Sequence, residues 1–294
     1  MRFFVKIIIG VFFLGQSFSC LSNNYYVLTG RQTGLFSNIL GVINHLIWCE
    51  KQGMDLVVYW KDEPSFYKMS DGYNGSDNIW EYYFYPVSEA HYQLGDELHA
   101  DYTPPDGEAI ECLYYLYEKN LSYEYRSFIN SYIQRYIHIK PSILEKMNDF
   151  YKKNMEGKAT IGIHVRRTDH YESPRIPLNA YIQVANSFKD VQFLVATDDQ
   201  SVLDILKQKL KGNVIYYDAY RSSNNKGLHI WNPQVDNKAL MGEQVLIESK
   251  LLSLCDCFIH SVSNVSLGAL FFNPLLKSIY LKMTEDFKVG LVIS

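Results

Sequence analysis

Cysteine is scarce in this chain, with five among 294 residues, at Cys20, Cys49, Cys112, Cys255 and Cys257. They form no spaced Cys/His set, which argues against a zinc module, and their odd number gives no closed disulfide framework. Cys255 and Cys257 alternate within an apolar run and read as buried free thiols. An excess of positive charge is also missing. The formal net charge is −4, whereas a general nucleic-acid binder is basic, so no nucleic-acid partner is expected. A local cationic pocket for one diphosphate is still compatible with that balance. There is no internal repeat, low-complexity run or heptad pattern, which argues against solenoids and coiled coils. Past Cys20 no segment is apolar enough to span a bilayer. What remains is ordinary for a globular chain: 47% hydrophobic and 20% charged residues, enough for two packed domains or one large one.

The N-terminus stands apart. Arg2 precedes Phe3–Gly15, apolar except for Lys6, and Ser17, Ser19 and Cys20 follow. This reads as a signal peptide with a Ser-x-Ser cleavage site or as an uncleaved anchor. The expected location is membrane-associated or exported, and cytoplasmic if the segment is no signal. Residues 1–22 are therefore set aside from the fold.

The rest alternates between strand and helix patterns. Tyr25–Leu28, a Gly-containing loop, a helix over Leu35–Glu50 and a strand over Asp55–Trp60 open an α/β domain. Lys61–Asp106 is irregular and aromatic, suiting a lid, an acceptor-facing surface or a long insertion. Helices are predicted over Tyr123–Tyr136 and, from the first-turn Pro141, to Met155. A break at Gly157-Lys158 divides an N-terminal α/β domain, 23–156, from a C-terminal Rossmann-like domain, 157–294. In the latter, strands at Thr160–Val165, Gln192–Ala196, Val214–Tyr217, Cys257–His260 and, last, Ser278–Leu281 alternate with helices. The pattern predicts a parallel sheet whose ligands bind at the carboxyl ends of the strands. Arg166–Asp169, Thr197–Asp199 and Ser261–Asn264 fall on that rim.

Each cluster has both a chemical and a structural reading. Arg166 and Arg167 leave a buried strand together, and their forked donors suit phosphate oxygens. Asp169 can hold one of them in place, as in a plain Arg–Asp pair. His164, one turn of the pleat earlier, reads as a core histidine or a nucleotide contact. His170 and Glu172 follow, and either could take a proton from an acceptor hydroxyl or simply face solvent. Asp198-Asp199 ends a strand before a helix, and capping plus support of the arginines is favoured over metal binding. Glu248 lies beside a buried helical stripe, where a carboxylate could accept both adjacent N–H donors of guanine. Ser261, Ser263 and Asn264 precede a helix whose free N–H groups bind phosphate or are capped.

Ile161–Asp169 (IGIHVRRTD) resembles the HxRRxD region of the fucosyltransferase superfamily, most closely α1,6-fucosyltransferases of the NodZ type, with α1,2- and protein O-fucosyltransferases more distant. Leu194–Asp199, Gly227-Leu228-His229 and Leu252–Asp256 with Ser261–Asn264 resemble its later blocks in order. The resemblance covers about Thr160–Phe272, and the N-terminal half shares only the first loop, Gly30–Asn38. It implies a GT-B fold with two Rossmann-like domains and parallel sheets facing a cleft. It also implies GDP-fucose as donor substrate, a glycan or glycoconjugate acceptor, inversion, and neither metal nor cofactor. Arg166 would meet the diphosphate, supported by Arg167 and Asp169. His164, Asp198, Asp199, His229, Glu248, Ser263 and Asn264 would lie on the donor side, Gly34 and Asn38 on the acceptor side. Glu172 is the nearest equivalent of the family's base. The family usually has Asp where Glu248 stands. Two further readings stay open: a non-catalytic exported glycan-binding protein on a transferase fold, and a transferase using another nucleotide sugar.

Overall fold

A computed structural model describes residues 24–60, 66–101, 103–105, 121–168, 175–224, 226–228, 232–283 and 288–293. The chain opens with β1 (Tyr25–Leu28), α1 (Leu35–Gln52) and β2 (Asp55–Val58), the two strands pairing in parallel. Gly53 ends α1 because its positive φ of 66° lets its N–H reach back to the carbonyls of Cys49 and Glu50. His99 extends the edge of β1 through bonds between its backbone and those of Val27 and Thr29. Among the described residues this sheet has two strands.

The irregular stretch after β2 contains one short 3-10 helix, Ile79–Tyr82. Tyr85 is exposed, but most of the aromatics around that helix are not at the surface. Trp80, Tyr82, Tyr83 and Phe84 are completely buried, so this segment acts as a wedge of core rather than as a lid. Helices α2 (Tyr123–Tyr136) and α3 (Pro141–Asn154) follow. Ser122 caps α2 through the N–H of Tyr125, and Pro141 opens α3 where no N–H partner is needed.

The larger sheet is built from β3 (Thr160–Val165), β4 (Gln192–Thr197), β5 (Val214–Ile215), β6 (Cys257–His260), β7 (Ser278–Met283) and β8 (Val289–Ile293). Its order is β5-β4-β3-β6-β7-β8, parallel except for β8. The sequence reading ended the sheet at β7. The antiparallel β8 was missed because Val289–Ile293 is short and lies half in solvent, with no clean alternation to mark it. Four helices complete the unit: α4 (Leu178–Ala185), α5 (Gln200–Lys209), α6 (Lys238–Leu252) and α7 (Asn264–Phe272).

Strands β3 and β4 are buried along their whole length, as expected of parallel strands covered on both faces. The two-residue repeat of a strand sorts their side chains. Ile161, Ile163, Val165, Phe193 and Val195 join a core with Tyr181, Leu203 and Leu206 of α4 and α5. Leu194, Ala196 and Phe258 face the other way, into a core shared with α1, α2, α6, α7 and the aromatic wedge. That larger core joins the N-terminal unit to the sheet. At Gly268 of α7 an added Cβ would stand 2.1 Å from the Phe36 ring of α1, so the two helices meet at a place only glycine permits. Cys255 is buried and free as expected, whereas Cys257, also free, is only half-buried. Among the described residues no helix is long and apolar enough to cross a membrane. The N-terminal segment lies outside the described residues.

Chain order reverses between β3 and β6. From β3 the chain winds outward through β4 to β5, then returns to β6 on the opposite side. At such a point the loops leaving neighbouring strands part and leave a crevice at their carboxyl ends.

Candidate functional site

The register of β3 against β4 places Val165 beside Thr197, so the residues just past each end meet. Asp198 takes up this position. Its Oδ1 accepts the Arg167 N–H at 2.9 Å, and its Oδ2 accepts the Thr168 N–H at 3.0 Å and the Thr168 hydroxyl at 2.6 Å. The Arg166 guanidinium completes the set, with Nη1 2.9 Å from Oδ2. Burial alone would raise the Asp198 carboxyl. The Arg166 charge and the Thr168 and Arg167 donors together outweigh it and hold the pKa below the usual aspartate value. An ionised carboxylate thus fixes the turn that carries both arginines out of the sheet. Arg167 turns away and donates to the Ile176 carbonyl at 2.7 Å. Arg166 stays 22% exposed and lines a cavity.

That cavity is narrow, with a volume of about 70 Å³. Its walls come from five places. His164, Arg166, Thr197 and Asp198 form the ends of β3 and β4; Met241, Gln244, Val245 and Glu248 form one face of α6; Ala219, Tyr220 and Leu228 belong to the loop after β5; and Val265 and Tyr67 come from α7 and the N-terminal half. The α6 positions are spaced three, four and seven apart, which puts them on one helical stripe. His164 is held by a hydrogen bond between its Nδ1 and Ser266 Oγ, 3.0 Å apart. Tyr67 ties the cavity to the first helix, its hydroxyl accepting the Leu35 N–H at 2.8 Å.

Glu248 forms the far wall. Its Oε1 accepts from Nη2 of Arg221 at 3.0 Å, with the arginine side chain 4% exposed and the glutamate 11%. Burial raises the Glu248 pKa to about 7, with Arg221 pulling it down and Asp198 pushing it up. The cavity is therefore lined both by a cation and by an acid poised near neutrality.

The remaining sequence candidates fall in different places. Ser263 is the N-cap of α7, its Oγ accepting the Val265 N–H at 3.2 Å. Asn264 is the first residue of α7, and its Oδ1 is buried with no hydrogen-bond partner. These residues put the start of α7 beside the cavity without lining it. Asp199 caps α5: its Oδ1 accepts the N–H groups of Ser201 and Val202 and the Ser201 hydroxyl. Gly34 is the N-cap of α1. Asn38 closes the first loop on itself, bonding Arg31 N–H and the carbonyls of Arg31 and Thr33. Asp169, His170, Glu172 and His229 lie outside the described residues. Among the described residues no group of three His, Cys, Asp or Glu side chains is placed to hold a metal ion.

Because Asp199 spends its oxygen on the helix start, Asp199→Ala is expected to cost about 1 kcal/mol of stability and to leave ligand affinity within twofold. Thermal melts and ligand titration of the variant check both, and a tenfold affinity loss without a stability change would assign it to the ligand instead.

Sequence reasoning missed Arg221 and Gln244. Gln244 braces the loop after β5, accepting the Tyr220 N–H at 3.0 Å and donating to the Asp218 carbonyl at 3.2 Å. A signal existed: Gln244 and Glu248 are polar residues one turn apart in a helix otherwise rich in buried apolar positions. Glu243, a completely buried acid, precedes them in the same helix. It receives the Tyr73 hydroxyl at 2.8 Å and pairs with Lys146, which locks the aromatic segment and α3 to α6.

Neither protein-family models nor curated protein sequences match the chain. Solved structures do match. Fucosyltransferase NodZ from Bradyrhizobium aligns over 92% of this chain and 99% of that chain, with a TM-score of 0.57 and 16% identity. NodZ α-1,6-fucosyltransferase soaked with GDP-fucose gives 0.59 and 17% over the same shares. A FUT1 mutant from Arabidopsis thaliana in complex with GDP gives 0.50 and 14%, over 95% and 75%. At these identities the likeness is one of fold, and it agrees with the strand order and the crevice described above. The chain has the mixed α/β, GT-B fold of the fucosyltransferases.

Proposed function

We propose that this chain is a glycosyltransferase that moves fucose from GDP-fucose to a glycan hydroxyl, with inversion and without a metal ion. The observation that carries the reading is the cavity at the carboxyl ends of β3 and β4, lined by both Arg166 and Glu248. The solved structures with this fold include ones bound to GDP and soaked with GDP-fucose, which supports the same donor here.

In this reading the guanine lies against Glu248 and His164, and the diphosphate reaches Arg166. An acceptor oxygen attacks the anomeric carbon as the bond to the diphosphate breaks. Its proton passes to a base, and GDP leaves with the electron pair. Arg166 offsets the charge that grows on the departing diphosphate, assisted by the positive end of α7 at Val265. Asp198 does not touch the donor in this scheme; it aims Arg166. Glu172 is the proposed base and Asp169 the support of the arginines, both by resemblance. Gly34 and Asn38 shape the acceptor side, with residues 23–156 and 157–294 serving as the acceptor-side and donor-side domains. The N-terminal segment would attach or export the protein.

The test is GDP release from GDP-fucose in the presence of an oligosaccharide panel. Release that depends on a particular glycan, with fucose recovered on that glycan, supports the assignment. A folded protein that binds GDP but transfers fucose to none of a broad panel favours a degenerate transferase.

A further inference from the structure

We infer that Arg221, which stands behind the cavity wall and does not itself line it, sets the base selectivity of the nucleotide site by holding Glu248 in position as a carboxylate. The inference rests on the proposed GDP-sugar donor and adds a positioning residue to it. Arg221 is nearly inaccessible and its guanidinium has three partners at once. Nη1 donates to the Ala219 carbonyl at 3.0 Å, and Nη2 donates to the Tyr217 carbonyl at 2.9 Å and to Glu248 Oε1 at 3.0 Å. Its guanidinium carbon stands 5.3 Å from the centroid of the Tyr216 ring. Ala219, Tyr220 and Glu248 all line the cavity. The planar fork therefore clamps the loop after β5 to α6 across the wall that a base would meet. A lysine has one point charge and cannot span both carbonyls and the carboxylate.

The chemistry follows from proton count. An ionised carboxylate accepts two N–H donors, while a protonated one accepts through a single oxygen and presents a donor. Only the ionised form matches a base edge with two adjacent donors. Glu248 sits close to the balance between the two forms. The charged and titratable groups around it come from several elements: Arg221, Tyr217 and Tyr220 from the loop after β5, Asp198 from the end of β4, and His164 and Arg166 from the end of β3. Asp198 works against ionisation and Arg221 for it, so Arg221 decides which form prevails near neutral pH.

The experiment compares GDP with inosine diphosphate, which has the same diphosphate but lacks the exocyclic amine. The ratio of the two affinities cancels titration of the phosphates. For the wild-type protein we expect a preference for GDP of at least tenfold above pH 7.5, falling as pH drops through about 7. Arg221→Gln keeps a donor but loses the charge. It should reduce the preference to under threefold at pH 7.5 and move the midpoint upward by a pH unit or more. Arg221→Lys should restore an intermediate preference, and Glu248→Gln should give a low preference with no pH dependence. Wild-type preference and midpoint in folded Arg221→Gln would overturn the inference. If that variant does not fold, a full wild-type preference in Arg221→Lys overturns it instead, because the fork would then be dispensable. Should wild-type protein bind GDP and lose it on Arg166→Ala while these ratios stay constant, only this inference fails. Absence of GDP binding by the wild type removes the donor assignment as well.

Discussion

Arg166→Ala is expected to weaken GDP binding at least 100-fold and to leave the protein folded. The loss follows from what the guanidinium supplies. In the proposed complex the contact of Arg166 with phosphate is charged and forked, and removing such a contact costs about 3 kcal/mol, which corresponds to roughly 100-fold in affinity. The fold should survive because Asp198 keeps three donors without Arg166: the N–H groups of Arg167 and Thr168 and the Thr168 hydroxyl. Arg166→Lys should fall in between, since it keeps the charge and loses the fork. Calorimetric titration measures all three proteins, and near wild-type affinity in the alanine variant would move the diphosphate away from β3.

Asp198→Ala is expected to have the largest effect on stability. It removes the acceptor of two backbone N–H groups, a hydroxyl and a guanidinium in one step. Breaking a buried pair and leaving its donors unmet costs about 3–5 kcal/mol. In a chain of this size that amounts to a fall in Tm of roughly 10 °C. GDP affinity should drop as well, because nothing then aims Arg166. The pH dependence has a definite sign. The folded pKa of Asp198 lies below its unfolded value, so its stabilisation is complete above about pH 4 and is lost as pH falls through the folded pKa. The gap between wild type and Asp198→Ala should therefore narrow toward the acid end of melts taken from pH 7 down to pH 3. A constant gap across that range would mean that the carboxyl contributes by shape rather than by charge.

Much of this was legible from sequence where one local rule acts alone. The apolar stretches of β3 and β4 and the polar residues directly after them marked both the sheet and the rim that borders the cavity. The cap at Ser263, the first-turn Pro141 and the closing Gly53 follow from short-range backbone requirements. The aromatic stretch around Trp80 was harder, because its composition suits a lid as well as a core. Only the packing of α6 against Tyr83, whose hydroxyl donates to the Ala239 carbonyl at 3.1 Å, settles it as interior. Arg221 could not be found at all by spacing. It meets Glu248 from 27 positions away, through a loop with no pattern of its own. The same limit applies to Tyr67, which joins the site from the other half of the chain. Long-range ion pairs leave no periodic trace in sequence, whereas strand ends do.

The most direct test of the account is calorimetric titration of GDP, with UDP as the control, into wild-type protein in buffer containing EDTA. The account predicts micromolar binding of GDP and at least tenfold weaker binding of UDP. Absence of GDP binding by folded protein, or equal affinity for the two nucleotides, would contradict it.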